Sequence, residues 1–186
     1  MRLSIVFLFL LSFFCVSSQA QTNRTWQAGI YKSFSEFEQN TPSVKLNWEV
    51  KLDSVKYGNL GNRKFMNTYL LAIPKVESKN IGEVFGFSDG THFYIADYPH
   101  NLYNFAFYML EPVGVQYLFF ESLKETQYGE MHLSNTLNMT TGAIDYLTHN
   151  RFKKILADKP DLYTKYMKEE DKSAVWKEYL TEYQKK

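Results

Sequence analysis

Apolar and polar positions run along the chain with two different periods. In residues 44–52, Val44, Leu46, Trp48, Val50 and Leu52 fall on one side, and Lys45, Asn47, Glu49 and Lys51 fall on the other. A period of two over nine residues predicts a half-buried strand. Residues 57–62 form a Gly/Asn turn region. Residues 64–73 fit a helix through Phe65, Tyr69 and Ala72, and equally a strand through Phe65, Tyr69, Leu71 and Ile73, so the pattern leaves both open. Residues 81–87 and 92–96 flank Ser88-Asp89-Gly90-Thr91. Asp-Gly between two aromatic-rich runs predicts a hairpin with a type I′ turn, which needs φ > 0 at both central residues. Residues 103–110 and 113–120, on either side of Glu111-Pro112, are apolar on both faces and predict paired central strands covered on each side. Residues 130–139 and 143–147, joined around Thr140-Thr141-Gly142, predict a third hairpin.

Helical signals stand at the two ends of this region. Ser33-Phe34-Ser35-Glu36 fits a capping box, in which Ser33 accepts from a backbone N–H and Glu36 reaches back. A short helix through Phe34 and Phe37 follows, ending near Asn40 because Pro42 disfavours helix at Thr41. After Thr148 the period becomes helical, with Phe152, Ile155 and Leu156 at i, i+3, i+4. Asp158 is placed to cap a further helix with Pro160 in its first turn. Leu162, Tyr166, Ser173, Trp176, Leu180 and Tyr183 then form one stripe, with Glu169 and Lys172 spaced for a surface pair. The pattern predicts one α+β domain with a sheet-rich part over 26–147 and a helical tail over 149–184. The sheet is expected to be antiparallel, with about six to eight strands. Several strands are apolar on both sides, which allows it to curl into a partly open, barrel-like form.

The first twenty residues do not belong to that domain. Arg2 precedes an apolar run over 3–16, and Ser17-Ser18-Gln19-Ala20 follows with small residues at Ser18 and Ala20. This is the layout of a secretory signal peptide, with cleavage expected after Ala20. The apolar run is too short to span a bilayer, so no membrane span is expected in the mature chain of residues 21–186. Removal of the leader takes Arg2 and the single cysteine, Cys15, with it. The formal net charge of +1 becomes zero, and an exported, disulfide-free domain has to rely on its core. A neutral chain lacks the basic excess that nucleic acid requires. Charge is nevertheless divided, since residues 21–148 hold 10 basic and 13 acidic side chains while residues 149–186 hold 10 and 7. A basic helical tail on a mildly acidic sheet is the picture this gives.

The sharpest chemical match is Gly86-Phe87-Ser88-Asp89-Gly90, a G-x-S-x-G pattern. In α/β-hydrolases it places a nucleophilic serine on a strand-to-helix turn, with an acid and then a histidine later in the chain. Asp97 or Asp145 followed by His149 would complete that order, and His132 would serve with Asp97. Against it, residues 91–96 read as a strand, alternating β/α units are absent, and an Asp-Gly hairpin explains the same five residues. His92, Asp97 and His100 lie within nine residues, and His132 and His149 could join them, but no ligand spacing appears and solvated histidines are the simpler expectation. No metal and no cofactor are assigned. Glu111, Glu121, Asp97 and Asp145 border strands, yet carboxylate pairs work at a spatial distance that a sequence does not state. The 3 Trp, 14 Tyr and 15 Phe could build a platform for sugars or an apolar ligand. Trp48 and Trp176 sit in phase with core positions, which leaves Trp26, with Tyr94 and His92 at the hairpin, as the candidate ligand contacts. Asn23-Arg24-Thr25 and Asn138-Met139-Thr140 match the N-glycosylation acceptor pattern.

Three segments carry a resemblance: residues 29–37 running into Asn40-Thr41-Pro42-Ser43; Val84-Phe85-Gly86-Phe87-Ser88-Asp89-Gly90 with Tyr94 after it; and Pro160-Asp161-Leu162-Tyr163 leading to Tyr179-Leu180-Thr181-Glu182-Tyr183. In that order the chain resembles a family of uncharacterised exported proteins of Bacteroidetes-type bacteria. The resemblance implies export from a Gram-negative cell, to the periplasm or beyond, and a single domain. It implies no activity, cofactor or catalytic residue. In such a host Asp53-Ser54-Val55 looks like an acceptor for O-glycosylation. The expected function is a non-enzymatic domain that binds a protein, a glycan or an apolar ligand. The alternatives are a small serine hydrolase using Ser88 and a barrel-type carrier of an apolar ligand.

Overall fold

The computed structural model describes residues 25–58, 64–127 and 129–185. The expected signal peptide, residues 1–20, and Asn23 lie outside them. In chain order the elements are β1 (Gly29–Tyr31), α1 (Phe34–Gln39), β2 (Val50–Tyr57), β3 (Lys64–Leu71), α2 (Lys75–Ile81), β4 (Val84–Ser88) and β5 (Phe93–His100). There follow β6 (Tyr108–Met109), β7 (Tyr117–Thr126), β8 (Gly129–Asn138), β9 (Ile144–Tyr146), α3 (His149–Ile155), α4 (Pro160–Met167) and α5 (Trp176–Tyr183). Every strand pairing is antiparallel. The strands form three sheets, ordered β1-β4-β5-β6, β2-β3 and β7-β8-β9. This is the α+β architecture the pattern predicts, with helices at the C-terminal end.

Residues 107–111 tie the sheets together. Tyr108 and Met109 pair with Ile95 and Tyr94 of β5, while Phe107 bridges to Tyr69 of β3 and Glu111 bridges to Phe119 of β7. Alternate backbone groups point to opposite edges of a strand, so β3 and β7 both attach to the edge away from β5. The sheet therefore forks, and no closed barrel forms among the described strands.

Register decides which side chains face which core. In β7, Leu118 and Phe120 join Leu137 of β8 in an aromatic cluster with Tyr31, Phe37 and Phe93. Phe119 points the other way, into a second cluster with Phe152, Tyr166 and Tyr179 of the tail. A third cluster gathers Ile30, Phe87, Tyr94 and Phe107 with Leu71 and Ile73. Phe107, Tyr108, Leu110 and residues 118–120 are buried, as their two-faced apolar character predicts. The two runs do not pair as central strands, however: β6 pairs with β5, β7 pairs with β8, a single bridge joins Glu111 to Phe119, and Tyr103 and Val115 are exposed.

Several elements differ from the pattern. Residues 44–49 alternate half-buried and exposed as predicted, with Val44, Leu46 and Trp48 packed against the third cluster. They form no ladder beyond a single bridge from Val44 to Ile30. Alternation reports burial, and a strand additionally needs a partner for its backbone. The strand starts at Val50, and Leu52, assigned to the buried face, is 64% exposed. Residues 64–73, open between two states, form β3. The helix α2 was not anticipated. The run over 103–110 shrinks to two strand residues because Asn104 has a positive φ of 53° and the Asn101 side chain accepts from the Tyr103 N–H. Residues 121–126 and Gly129, which no predicted element covers, continue the ten-residue pairing of β7 with β8. In the tail, the single stripe is cut into α4 and α5. Asp171 closes the turn between them by accepting from the N–H groups of Ser173 and Ala174. Glu169 does not pair with Lys172 through its carboxylate. That carboxylate accepts from the Tyr179 hydroxyl at 2.5 Å, while Lys172 donates to the Glu169 carbonyl. Asp158 accepts from the Tyr183 hydroxyl instead of capping α4. At α1, Ser33 caps as expected, but Glu36 reaches back to the N–H of Lys32 rather than that of Ser33.

Candidate functional site

The G-x-S-x-G segment is a hairpin, not an elbow. Ser88 pairs with Phe93, and β5 follows the turn where a nucleophile elbow requires a helix. Each fixed residue of the pattern has a packing or backbone reason. A Cβ on Gly86 would lie 2.4 Å from the Tyr94 carbonyl oxygen and 2.6 Å from the Phe93 ring. Ser88 is fully buried, and its Oγ accepts from the Gly90 N–H at 3.0 Å. Gly90 has φ +95° and is the only residue of the turn with positive φ, so the turn is not type I′. Four residues, not two, connect the paired positions, and Asp89 organises them by accepting from the N–H groups of Thr91 and His92, both at 2.7 Å. Tyr94, buried, donates its hydroxyl to the other oxygen of Asp89 at 2.8 Å.

Burial works to raise the Asp89 carboxyl, but the His92 and Thr91 N–H groups and the Tyr94 hydroxyl outweigh it and hold it below the usual carboxylate range. A depressed folded pKa stabilises the fold above the unfolded value near 3.9, and that contribution is lost as pH falls through the folded value. Asp89→Asn is therefore expected to lower stability by about 1 kcal/mol at pH 7, the low end for a charged acceptor that stays partly hydrated. Denaturant titrations of both proteins at pH 7 and pH 3 check this. The gap should narrow at the lower pH.

The histidines are occupied elsewhere. His149 Nδ1 lies 3.1 Å from the Tyr166 hydroxyl, and His100 stacks on Phe105 with ring centroids 3.4 Å apart. His92 lies 3.7 Å from Asp89, and Asp145 pairs with Arg151 at 3.0 Å. Burial raises the Asp97 carboxyl. Among the described residues no histidine is hydrogen-bonded to Ser88, and no three His, Cys, Asp or Glu side chains converge as a metal would require. Trp26, the expected exposed contact, stacks on Phe37 at 4.6 Å and on Phe93 at 5.0 Å, as a cover on the aromatic core.

The fork in the sheet creates the concavity that the sequence did not disclose. The register places Glu121, His132 and Ser134 on the same face as Phe119, the face turned toward the tail. Phe119 is covered by the tail helices, while the other three form the floor of a cleft of about 510 Å³. Its roof is the 168–175 turn with Trp176 and Lys177. On the other side of Glu111 and Glu121 lies a groove of about 280 Å³ between β3 and β7, walled by Tyr57, Phe65, Tyr69 and Tyr108. The two carboxylates line both spaces and so stand at their junction.

No family model, curated protein or solved structure matches the chain. The chemistry of the site therefore has to be read from its own residues. Glu111 is ion-paired with Lys177, which joins the floor to the roof. Glu121 Oε1 lies 3.2 Å from His132 Nε2, a contact made off the direction of a ring N–H bond that attracts when the imidazole is protonated. That contact with His132 holds the Glu121 carboxyl below its ordinary range against the effect of burial. The Tyr57 ring stacks on His132 at 5.3 Å, and burial with the nearby Glu121 charge pushes its hydroxyl pKa up. General-acid work by a carboxyl needs the opposite shift, upward toward neutrality. The Glu121 carboxyl, held on its ionised side, is suited to accepting hydrogen bonds, and Glu111 beside Lys177 offers a second acceptor. In the sequence Glu111 and Glu121 are only acids bordering strands, and His132 is one of several histidines without ligand spacing. Their convergence depends on the bridge from Glu111 to Phe119, and nothing in the local pattern marks it.

Proposed function

We propose that the protein is an exported, non-catalytic binding domain whose ligand lies in the trough formed by the cleft and the groove on either side of Glu111 and Glu121. The observation that carries this reading is that Glu111 is ion-paired with Lys177 and Glu121 lies 3.2 Å from the His132 imidazole, so the junction offers two hydrogen-bond acceptors whose own neighbours are already in place. A cleft of this size falls in the range of small-molecule sites. Export is supported by the leader over residues 1–20 and by the resemblance to exported proteins. The buried Ser88 and the absence of a histidine hydrogen bond to it among the described residues favour binding over a serine hydrolase. The apolar-carrier reading loses its enclosure, because the described strands do not close and the trough carries charge along its length.

Native mass spectrometry of the chain recovered from its own host tests the proposal. The expected result is a noncovalent adduct that dissociates unchanged and that is missing from the Glu111→Gln, Glu121→Gln double variant. Release of a chemically altered molecule on standing would contradict it.

A further inference from the structure

We propose that the ligand of this trough is a neutral oligosaccharide, stacked on Phe65 and the neighbouring tyrosines of the groove and hydrogen-bonded by its hydroxyls to Glu111 and Glu121. The inference rests on the binding reading above and names the ligand class for it.

Phe65 is the first observation. It stands on β3 and is 67% exposed, whereas most rings of this fold are packed. Its strand partner Lys56 places an ammonium 5.7 Å from the ring centroid. A single exposed aromatic is ordinary on any surface. This one lines a concavity, together with Tyr57, Tyr69 and Tyr108, and beside the Asn67 amide. An aromatic face carries negative charge density and attracts the weakly positive C–H groups of a flat sugar face. Aromatic walls with carboxylates and an amide at one end suit a molecule with apolar faces and a polar rim.

The second observation is charge balance. In the cleft, Glu111 already faces Lys177 and Glu121 already faces His132. Lys64 and Asp171 add one charge of each sign to its lining. An anionic ligand would meet three carboxylates, Glu111, Glu121 and Asp171, and a cationic one would compete with Lys177 for Glu111. An apolar ligand would strip water from them without replacing its hydrogen bonds, which is costly for charged groups. Vicinal hydroxyls both donate and accept, so they satisfy the remaining lone pairs of the carboxylates and the ammonium N–H groups while leaving the Glu111–Lys177 pair intact. The two spaces, about 280 and 510 Å³ and both lined by Glu111 and Glu121, have room for more than one ring, which makes an oligosaccharide the fitting size.

Isothermal titration calorimetry on the mature chain tests the class. The probes are cello-, malto-, xylo-, manno- and galactotetraose and the N-acetylglucosamine trimer, set against spermidine, an oligogalacturonate and palmitate. At least one neutral sugar should bind, Phe65→Ala should weaken it about tenfold or more, and Phe65→Trp should retain it. Lys154→Ala, on the far helical surface, should leave it unchanged. Saturable binding of spermidine, oligogalacturonate or palmitate in place of the sugars, sensitive to Phe65→Ala, would overturn the ligand class and leave the binding reading standing. No binding by any probe, together with no adduct on the host-derived protein, would overturn both. Sugar binding indifferent to Phe65→Ala would remove it from this trough.

Discussion

Phe93→Ala is expected to lower unfolding free energy by about 3–5 kcal/mol, a large share of what a domain of this size has. Phe93 is fully buried at the centre of the first core. Its ring lies 4.6 Å from Phe37, 5.0 Å from Trp26 and 5.1 Å from Tyr31, centroid to centroid. Gly86 is kept without a side chain beneath it, so the backbone of β4 is already as close as it can come. A truncation at this point leaves a cavity that the strand below cannot fill, and the cost includes that cavity as well as the lost burial. The chain's single cysteine is Cys15, so no disulfide among the described residues limits the damage. Guanidinium denaturation monitored by tryptophan fluorescence checks the value, with an unchanged slope expected. A loss below about 1 kcal/mol would mean that the aromatic cluster is not where this fold keeps its stability.

That core was legible in outline. The two-faced apolar runs near Glu111-Pro112 marked buried residues, because burial on both sides leaves a direct mark on composition, although their strands pair with β5 and β8 rather than with each other. The Asp-Gly hairpin was legible because glycine relieves a backbone conformation, and Gly90 does so at φ +95°. What remained hidden depended on contacts distant in sequence. Residues 44–49 alternate correctly but have almost no backbone partner, and partners do not show in a local period. The tail's stripe continued through 168–175 in helical phase, yet Asp171 offers the backbone a competing turn. The candidate site was hidden for the same reason. Glu111 and Glu121 are ten residues apart, and they meet because Glu111 pairs with Phe119, two residues before Glu121 on the same face. Such diagonal neighbours lie about 7–8 Å apart, close enough for one ligand to touch both.

The second large effect is expected at that pair. Glu111→Gln combined with Glu121→Gln removes two charged acceptors, each worth about 1.5–3 kcal/mol in a hydrogen bond to a ligand. Together they should weaken sugar binding by about two to four powers of ten. Stability should hardly move. Both carboxylates are partly exposed, 32% for Glu111 and 47% for Glu121, and ion pairs of that kind contribute about 0–1 kcal/mol. Glutamine also keeps the shape and one acceptor oxygen, so the floor of the cleft is preserved. A difference of this size between the two readouts separates a ligand site from a structural network, which would lose stability and binding together.

The central claim is that the trough across Glu111 and Glu121 holds the ligand, and the most direct measurement is a calorimetric titration of the wild-type chain and the double variant with the neutral oligosaccharide that binds the wild type best. The expected result is saturable binding to the wild type, affinity at least a hundredfold weaker in the variant, and superimposable denaturation curves. Equal affinity for both proteins would contradict the claim.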